Sequence, residues 1–333
     1  LFSTGIISDP HIMPGYAVLT QIFGENTGVI ILDIGLSSLT CILVWWLANH
    51  IFNNPLAGIL SAIGTALHPN LILTAPSGLT EPSFTFFFLA ALVLFYREKY
   101  FFGSVIFILS VLIRPSFDIL APVLIFVFAT FTNKGNWMNG LRKVGIYGVC
   151  YLVLMAPWWI HNINQYDEFV RLNLADGHVL YLGNNPHALT GAGAANDISP
   201  NDPLLRIASP LDQNKAMKQA ALTFILEQPK RFFELSTIRF MRFWHIEDGS
   251  NVTVYLFIHP FTCIFLGFLL FGFRGRWRET LPLVLCIAYL TIVHTVLIST
   301  PRYQLPVAPV VILLGTAWLT TLMFSTISDK RSK

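Results

Sequence analysis

Four side chains stand where an apolar chain has little reason to carry polar chemistry. Glu81 opens an apolar run in SGLTEPSFTFF. Arg114 separates two apolar runs in LIRPSFDIL. Arg302 and Tyr303 occupy the short link STPRYQLP. A carboxylate at the end of a span is expensive unless it faces a polar cavity or a partner. Glu81 is therefore either a functional group or a helix-start acid favoured by the dipole, with Ser77 or Thr80 as cap. Arg114 at span depth calls for an acid such as Asp118 or Glu81, or for an anionic ligand. A guanidinium at the position of Arg302 suits a phosphate through paired N–H donors. The alternative for Arg302 and Tyr303 is an interfacial anchor. Asp9 and His11, in ISDPHIMPGY, form an acid and base pair beside a proline turn, though Asp-Pro is also an ordinary turn starter.

Other patterns point away from metal or nucleotide chemistry. His161, His178, His187 and His245 lack the helical i,i+4 pairing of a zinc site. Gly191-Ala192-Gly193 has no preceding strand and is not a nucleotide fingerprint. Asn251-Val252-Thr253 matches a glycosylation sequon, a frequent chance pattern. Cys41, Cys150, Cys263 and Cys286 all lie in apolar runs without a C-x-x-C pair, which reads as buried free thiols.

The elements that must position these groups are membrane-spanning in character. Of 333 residues, 54% are apolar and only 12% are charged, against about 25% charged in a soluble domain. The small net charge of +3 and its clustering in short loops read as membrane orientation and exclude a nucleic-acid partner. Apolar runs cover 28–50, 56–73, 79–96, 101–113 with 119–131, 144–160, 252–273, 281–298 and 307–327, giving about eight spans. The run 15–23 is too short to cross. The two runs around Arg114 are read as short helices meeting below one surface, since Pro115 disfavours a helical Arg114; a single kinked helix is the rival.

Basic residues in short loops mark the cytoplasmic side. Arg97 with Lys99, then Lys134, Arg142 and Lys143, then Arg274, Arg276 and Arg278, then Lys330, Arg331 and Lys333 all count to one side. Asp9, His11, Glu81, Arg114, Arg302 and the long hydrophilic stretch 162–250 fall opposite. Within that stretch Met217, Ala220, Ala221, Phe224 and Ile225 have helical spacing, and Pro229 suits a first helical turn. These are expected to be amphipathic helices at the outer membrane surface, or else a small packed subdomain. The division is thus 1–161, an N-terminal transmembrane region with outer loops; 162–250, an extracytoplasmic loop; and 251–333, a C-terminal transmembrane region.

MPGYAVLTQIFG, LTEPSFTFFFLA, LIRPSFDIL, APWWIHNINQYDEFVRLN followed by LYLGNNP, and RYQLPVAPVV occur in this order. Together they resemble the GT-C type, polyprenyl-phosphate-sugar-dependent glycosyltransferases, in particular the bacterial relatives of protein O-mannosyltransferases and lipid A aminoarabinose transferases. The resemblance covers nearly the whole chain. It implies a multi-span enzyme of the bacterial inner (plasma) membrane, active at its outer face. The donor it implies is a sugar carried on a polyprenyl phosphate, and the acceptor a lipid, glycan or protein. It also implies that the main catalytic carboxylate belongs to a first outer loop, after a first span. The chain starts at Leu1 rather than Met, so that span and loop are expected upstream. Glycosyl transfer needs a base for the acceptor hydroxyl and a cradle for the departing phosphate. Glu81 and Asp9 are the catalytic candidates; Arg114, Arg302, Tyr303, His11 and Asn184 are the substrate-binding ones. No resident cofactor is expected, the lipid-linked sugar being a substrate, and a divalent-metal requirement is left open. The expected fold is all-α. The alternative function is a polytopic transporter or lipid flippase, against which the absence of an internal repeat counts.

Overall fold

Proline placement sets where several of the helices begin. The computed structural model describes residues 10–24, 27–192, 197–246, 252 and 254–331. Asp9 and the sequon asparagine Asn251 lie outside the described residues. Among the described residues every regular element is helical. In chain order these are α1 (Pro14–Phe23), α2 (Thr27–Phe52), α3 (Pro55–Ala66), α4 (Pro69–Thr74), α5 (Thr80–Tyr96), α6 (Tyr100–Ile113) and α7 (Ala121–Val127). They continue with α8 (Trp137–Tyr166), α9 (Asp176–Gly183), α10 (Pro210–Glu227), α11 (Pro229–Phe243), α12 (His259–Gly267), α13 (Trp277–Val296) and α14 (Ala308–Arg331). Pro14, Pro55, Pro69, Pro210 and Pro229 open five of them. The fixed φ of proline is helical and its missing N–H is not needed in a first turn. Asn54, Asn136 and Ser209 cap α3, α8 and α10 by accepting backbone N–H bonds.

Prolines also break the chain. Pro69 holds His68 extended, so the run read as one span becomes α3 and the short α4. Pro115 does the same to Arg114, whose φ of −152° and ψ of 122° end α6 and begin a 3-10 turn over Pro115–Phe117. The two-helix reading of that region matches the structure. Of the four thiols, Cys150 and Cys286 are buried and Cys41 is half-buried. Cys263 is exposed on α12, against the expectation of burial, because its apolar helix turns that side outward.

Three helices are long and apolar enough to cross a membrane: α2, α8 and α13; the other apolar helices are shorter. Large apolar side chains stand outward on two of them, including Ile31 and Ile42 on α2 and Val149 and Leu152 on α8. That is the surface a lipid bilayer covers and water does not.

The main core joins α2, α5, α6, α7, α13 and α14. At its centre Phe117 stacks on Phe88 with ring centroids 4.4 Å apart and on Phe84 at 5.9 Å, and all three are fully buried. Lipid is as apolar as these rings, so the gain lies in dispersion and shape rather than escape from water. The stack pins the turn after Arg114 onto α5 one helical turn beyond Glu81. Within the hydrophilic stretch two smaller clusters form, Tyr181 with Met217 and Ala221, and Ala188 with Phe224 and Leu235.

Candidate functional site

Glu81, Arg114, Arg302 and Tyr303 come together, although they are spread over more than two hundred positions of chain. Glu81 lies in the first turn of α5 and is buried. Its Oε1 accepts from Arg114 Nη1 at 2.5 Å and lies 2.8 Å from Arg302 Nε. One negative and two positive charges leave the cluster net positive. Each arginine reaches it by a short irregular segment. Arg114 is extended before Pro115 and also donates from Nε to Ser116 Oγ at 3.1 Å. Arg302 sits in the 3-10 turn Pro301–Gln304 that joins α13 to α14.

Tyr303 is the floor of the cluster. The Arg114 guanidinium lies 5.1 Å from its ring centre, and that of Arg302 lies 5.8 Å away. Beneath it the His294 ring stacks at 4.4 Å with planes 8° apart. His294 Nδ1 is 3.0 Å from the Ile298 carbonyl, which ties the ring to the end of its own helix. Cations held over an aromatic face and beside a carboxylate stay oriented without spending all their donors. Among the described residues neither Nη atom of Arg302 has a protein partner.

Glu81 also borders a cavity of about 400 Å³ between α2, α3, α4 and α5. Its wall is mainly apolar, with Ile34, Leu71, Ala75 and Leu305, and is dotted with the hydroxyls of Ser37 and Thr65. The arrangement is an apolar chamber whose wall includes Glu81, the carboxylate that the two guanidiniums share, and such a chamber suits an amphiphile.

No family model, curated protein or solved structure matches this chain. Any functional reading therefore rests on the chemistry of the site.

The remaining candidates go elsewhere. Asp118 does not pair with Arg114. The turn at Pro115 carries it away, and it accepts instead from Arg171 and, at 2.6 Å, from the Tyr151 hydroxyl. Burial opposes the Arg171 charge, but Asp118 and Tyr151 outweigh it and hold that guanidinium above its usual value. Asn184 is buried with its amide committed to the Leu180 and Val296 carbonyls, and its oxygen accepts from Arg239. It therefore supports the turn after α9 and is not part of the Glu81 cluster. His11 Nδ1 is 2.9 Å from the Leu174 carbonyl, and its ring lies 5.2 Å from that of His178. This joins the segment before α1 to the hydrophilic stretch. Among the described residues no group of three or more His, Cys, Asp or Glu is placed to hold a metal.

Three residues escaped the sequence reading. Asp33, inside α2, is fully buried and accepts from the Tyr16 hydroxyl at 2.7 Å and the Ser83 hydroxyl at 2.6 Å. An ionisable residue within an apolar run was signal enough to find it. Arg239 on α11 is fully buried; its helix reads as amphipathic and gives no cue that one arginine faces inward. Arg171 looked like an ordinary loop charge.

Proposed function

We propose that this is a polytopic α-helical membrane protein of about eight spans that transfers a sugar from a polyprenyl-phosphate donor. The acceptor in this reading is a lipid, glycan or protein at the extracytoplasmic face of a bacterial plasma membrane. One observation carries it: two guanidiniums share the single carboxylate Glu81 at the edge of an apolar cavity. A net positive cluster with free fork donors matches a phosphate. An apolar chamber beside it matches the isoprenoid tail. In this reading Arg114 and Arg302 take the donor phosphate, Tyr303 fixes the plane on which they lie, and Glu81 keeps two like charges together. As the sugar leaves, negative charge builds on the bridging phosphate oxygen, where preorganised cationic donors act most strongly. The helices α2, α8 and α13 supply three crossings, and the shorter apolar helices supply the others.

The test uses the full-length protein in proteoliposomes with a polyprenyl-phosphate donor labelled in its sugar. Transfer of label to an acceptor, lost in Arg302→Ala, is the expected result. Movement of the intact donor across the bilayer without cleavage of its sugar bond would instead give the site to a flippase. Orientation is tested by Asn201→Cys, at an exposed position of the long stretch. Labelling by an impermeant reagent in intact cells is expected; labelling only after permeabilisation would reverse the face.

A further inference from the structure

A second carboxylate lies beside the arginine cluster and is held by different chemistry. Asp33 receives two hydroxyls and, among the described residues, no cation. Ser83, which holds Oδ1, stands two positions after Glu81 on α5. Tyr16, which holds Oδ2, comes from α1, and the close packing of that short helix has a visible cause. A Cβ on Gly15 would lie 2.7 Å from the Leu112 carbonyl, so only glycine lets α1 press against the end of α6 that leads into Arg114. Helix α1 thereby touches both α6 and α2. Glu81 is near enough for its charge to act on both Asp33 and Tyr16.

The two carboxylates differ in what they have left to give. Oε1 of Glu81 is taken by two guanidiniums, which a phosphate ligand needs held in place. Asp33 is bonded only to hydroxyls, and Tyr16, which donates one of them, is itself only half-buried. Two carboxylates in contrasting surroundings commonly divide between anchoring and proton transfer. Resting on the transferase reading above, we infer that Tyr16 and Asp33 form the proton-accepting pair for the acceptor hydroxyl. The acceptor oxygen bonds to the sugar carbon as that carbon's bond to the donor phosphate breaks. The electron pair leaves on the phosphate, between Arg114 and Arg302. The acceptor's proton passes to the Tyr16 oxygen while the Tyr16 proton passes to Asp33 Oδ2. Tyr16 is the group that touches the acceptor. Asp33 acts through it, and Ser83 keeps Oδ2 aimed at it.

Full-length Tyr16→Phe and Asp33→Asn in proteoliposomes test the pair. Asparagine keeps the shape and still accepts from Tyr16, but it cannot take up the proton. Donor affinity is expected within about twofold of the parent, with turnover lower by roughly a hundredfold. Azide is an anionic nucleophile that has no proton to lose, so it is expected to restore turnover in both variants as the glycosyl azide. Ser83→Ala is the milder variant should Asp33→Asn not insert; a several-fold loss, also relieved by azide, is expected. Failure of azide rescue, loss of donor binding together with turnover, or a parent-rate Tyr16→Phe overturns the pair and makes Asp33 a packing group. If the parent itself transfers no sugar, the transferase reading fails and the pair falls with it. A working parent confines any failure to the pair.

Discussion

Two arginine centres in this molecule, one around the buried Glu81 and one at the buried Arg239, have opposite bookkeeping. At Glu81 two guanidiniums share one carboxylate, and Arg302 still has both Nη groups without a protein partner among the described residues. At Arg239, among the described residues, one guanidinium has no hydrogen-bonded acid and no donor to spare. Its Nε donates to the Thr295 carbonyl at 2.7 Å, Nη1 to those of Gly183 and Leu297 at 2.6 and 3.0 Å, and Nη2 to Asn184 Oδ1 and Ser236 Oγ, both at 3.1 Å. A guanidinium has five N–H donors, and here all are used. Three go to carbonyls at the C-terminal ends of α9 and α13, where orphan acceptors and the helix dipole both favour a cation. Burial still opposes the charge and brings the Arg239 pKa down to about 10. Burial of an ionisable group does not by itself mark a functional site in a membrane protein. What distinguishes the two centres is the hydrogen-bonding capacity left after the fold is satisfied.

The saturated centre also serves the open one. Arg239 fixes the last turn of α13 at Thr295 and Leu297, and the chain then runs through the Ile298–Thr300 link to Arg302. Ser299 is held on the way by its N–H bond to the Gly191 carbonyl at 3.1 Å. Phe243, one turn beyond Arg239 on α11, faces the His294 ring that supports Tyr303, with centroids 5.9 Å apart. The hydrophilic stretch is therefore mechanically part of the site.

The largest effect is expected where one anion holds two cations. Glu81→Gln keeps the shape but leaves Arg114 and Arg302 facing each other unpaired. Because the two arginine side chains are 17% and 44% exposed, the loss of stability should stay below the about 3–5 kcal/mol of a fully buried pair, while sugar transfer by the full-length protein should fall by roughly a hundredfold or more as the preorganised cationic donors are lost. Glu81→Asp keeps the charge and should retain much more activity. Equal, near-parent rates in both would make Glu81 only a helix-start acid, contributing about 0.3–1 kcal/mol. Thermal unfolding and transfer rates on the same preparations separate the two.

The next effect sets the centres directly against each other. Arg239→Met leaves several buried oxygens unsatisfied and should lower stability by about 1–3 kcal/mol, with donor affinity reduced only a few-fold through displacement of Arg302. Arg302→Ala should do the reverse. Its side chain is 44% exposed, so stability should change by under about 1 kcal/mol. Donor affinity should fall at least about tenfold, since a charge-assisted contact of about 1.5–3 kcal/mol is lost. Matching losses of affinity and stability in both variants would erase the distinction between an open and a saturated arginine.

Much of the open centre was legible in the sequence, and little of the saturated one. Glu81, Arg114 and Arg302 stand out because charge is costly in an apolar run, and Tyr303 follows from its place beside Arg302. Their meeting on a single oxygen required packing that the sequence does not print: the Phe84, Phe88 and Phe117 stack and the support of α13 by α11. Of the two acids offered for Arg114, the distant Glu81 is the partner and the near Asp118 is not, because Asp118 is engaged by Arg171 and Tyr151. Asn184 and His11 read as ligand groups because they are polar within motifs, yet their hydrogen bonds run to backbone carbonyls and neighbouring loop residues. The helical character of the chain was plain from composition and proline placement. The split of the 56–73 run at Pro69 shows how one residue shortens an apparent span.

The smallest effect lies in the exposed charges of the hydrophilic stretch and supplies the control for the others. Asp176 accepts from Asn214 Nδ2 at 2.6 Å and pairs with Lys218 at 2.8 Å, both charged side chains being about half exposed. Burial works against its charge, but the bonds from Asn214 and Lys218, the Lys218 charge and the Gly177 N–H outweigh it and hold its carboxyl below the ordinary 3.8. A carboxylate with a depressed folded pKa contributes stability that is present above the unfolded value and disappears as pH falls through the folded one. Asp176→Asn should therefore cost a little at neutral pH, within the range of about 0–1 kcal/mol for exposed pairs, and the gap to the parent should close below pH about 3.8. Raising salt to about 1 M, where the Debye length is near 3 Å, should remove the Lys218 part of that gap. The Glu81→Gln defect should survive the same salt, because the Glu81 carboxylate is buried. Thermal unfolding of both variants across pH 6 to about 3 and across ionic strength makes the comparison. A Glu81 defect that faded with salt in step with that of Asp176 would mean that the cluster is solvated, and that its arginines owe their positions to water rather than to the fold.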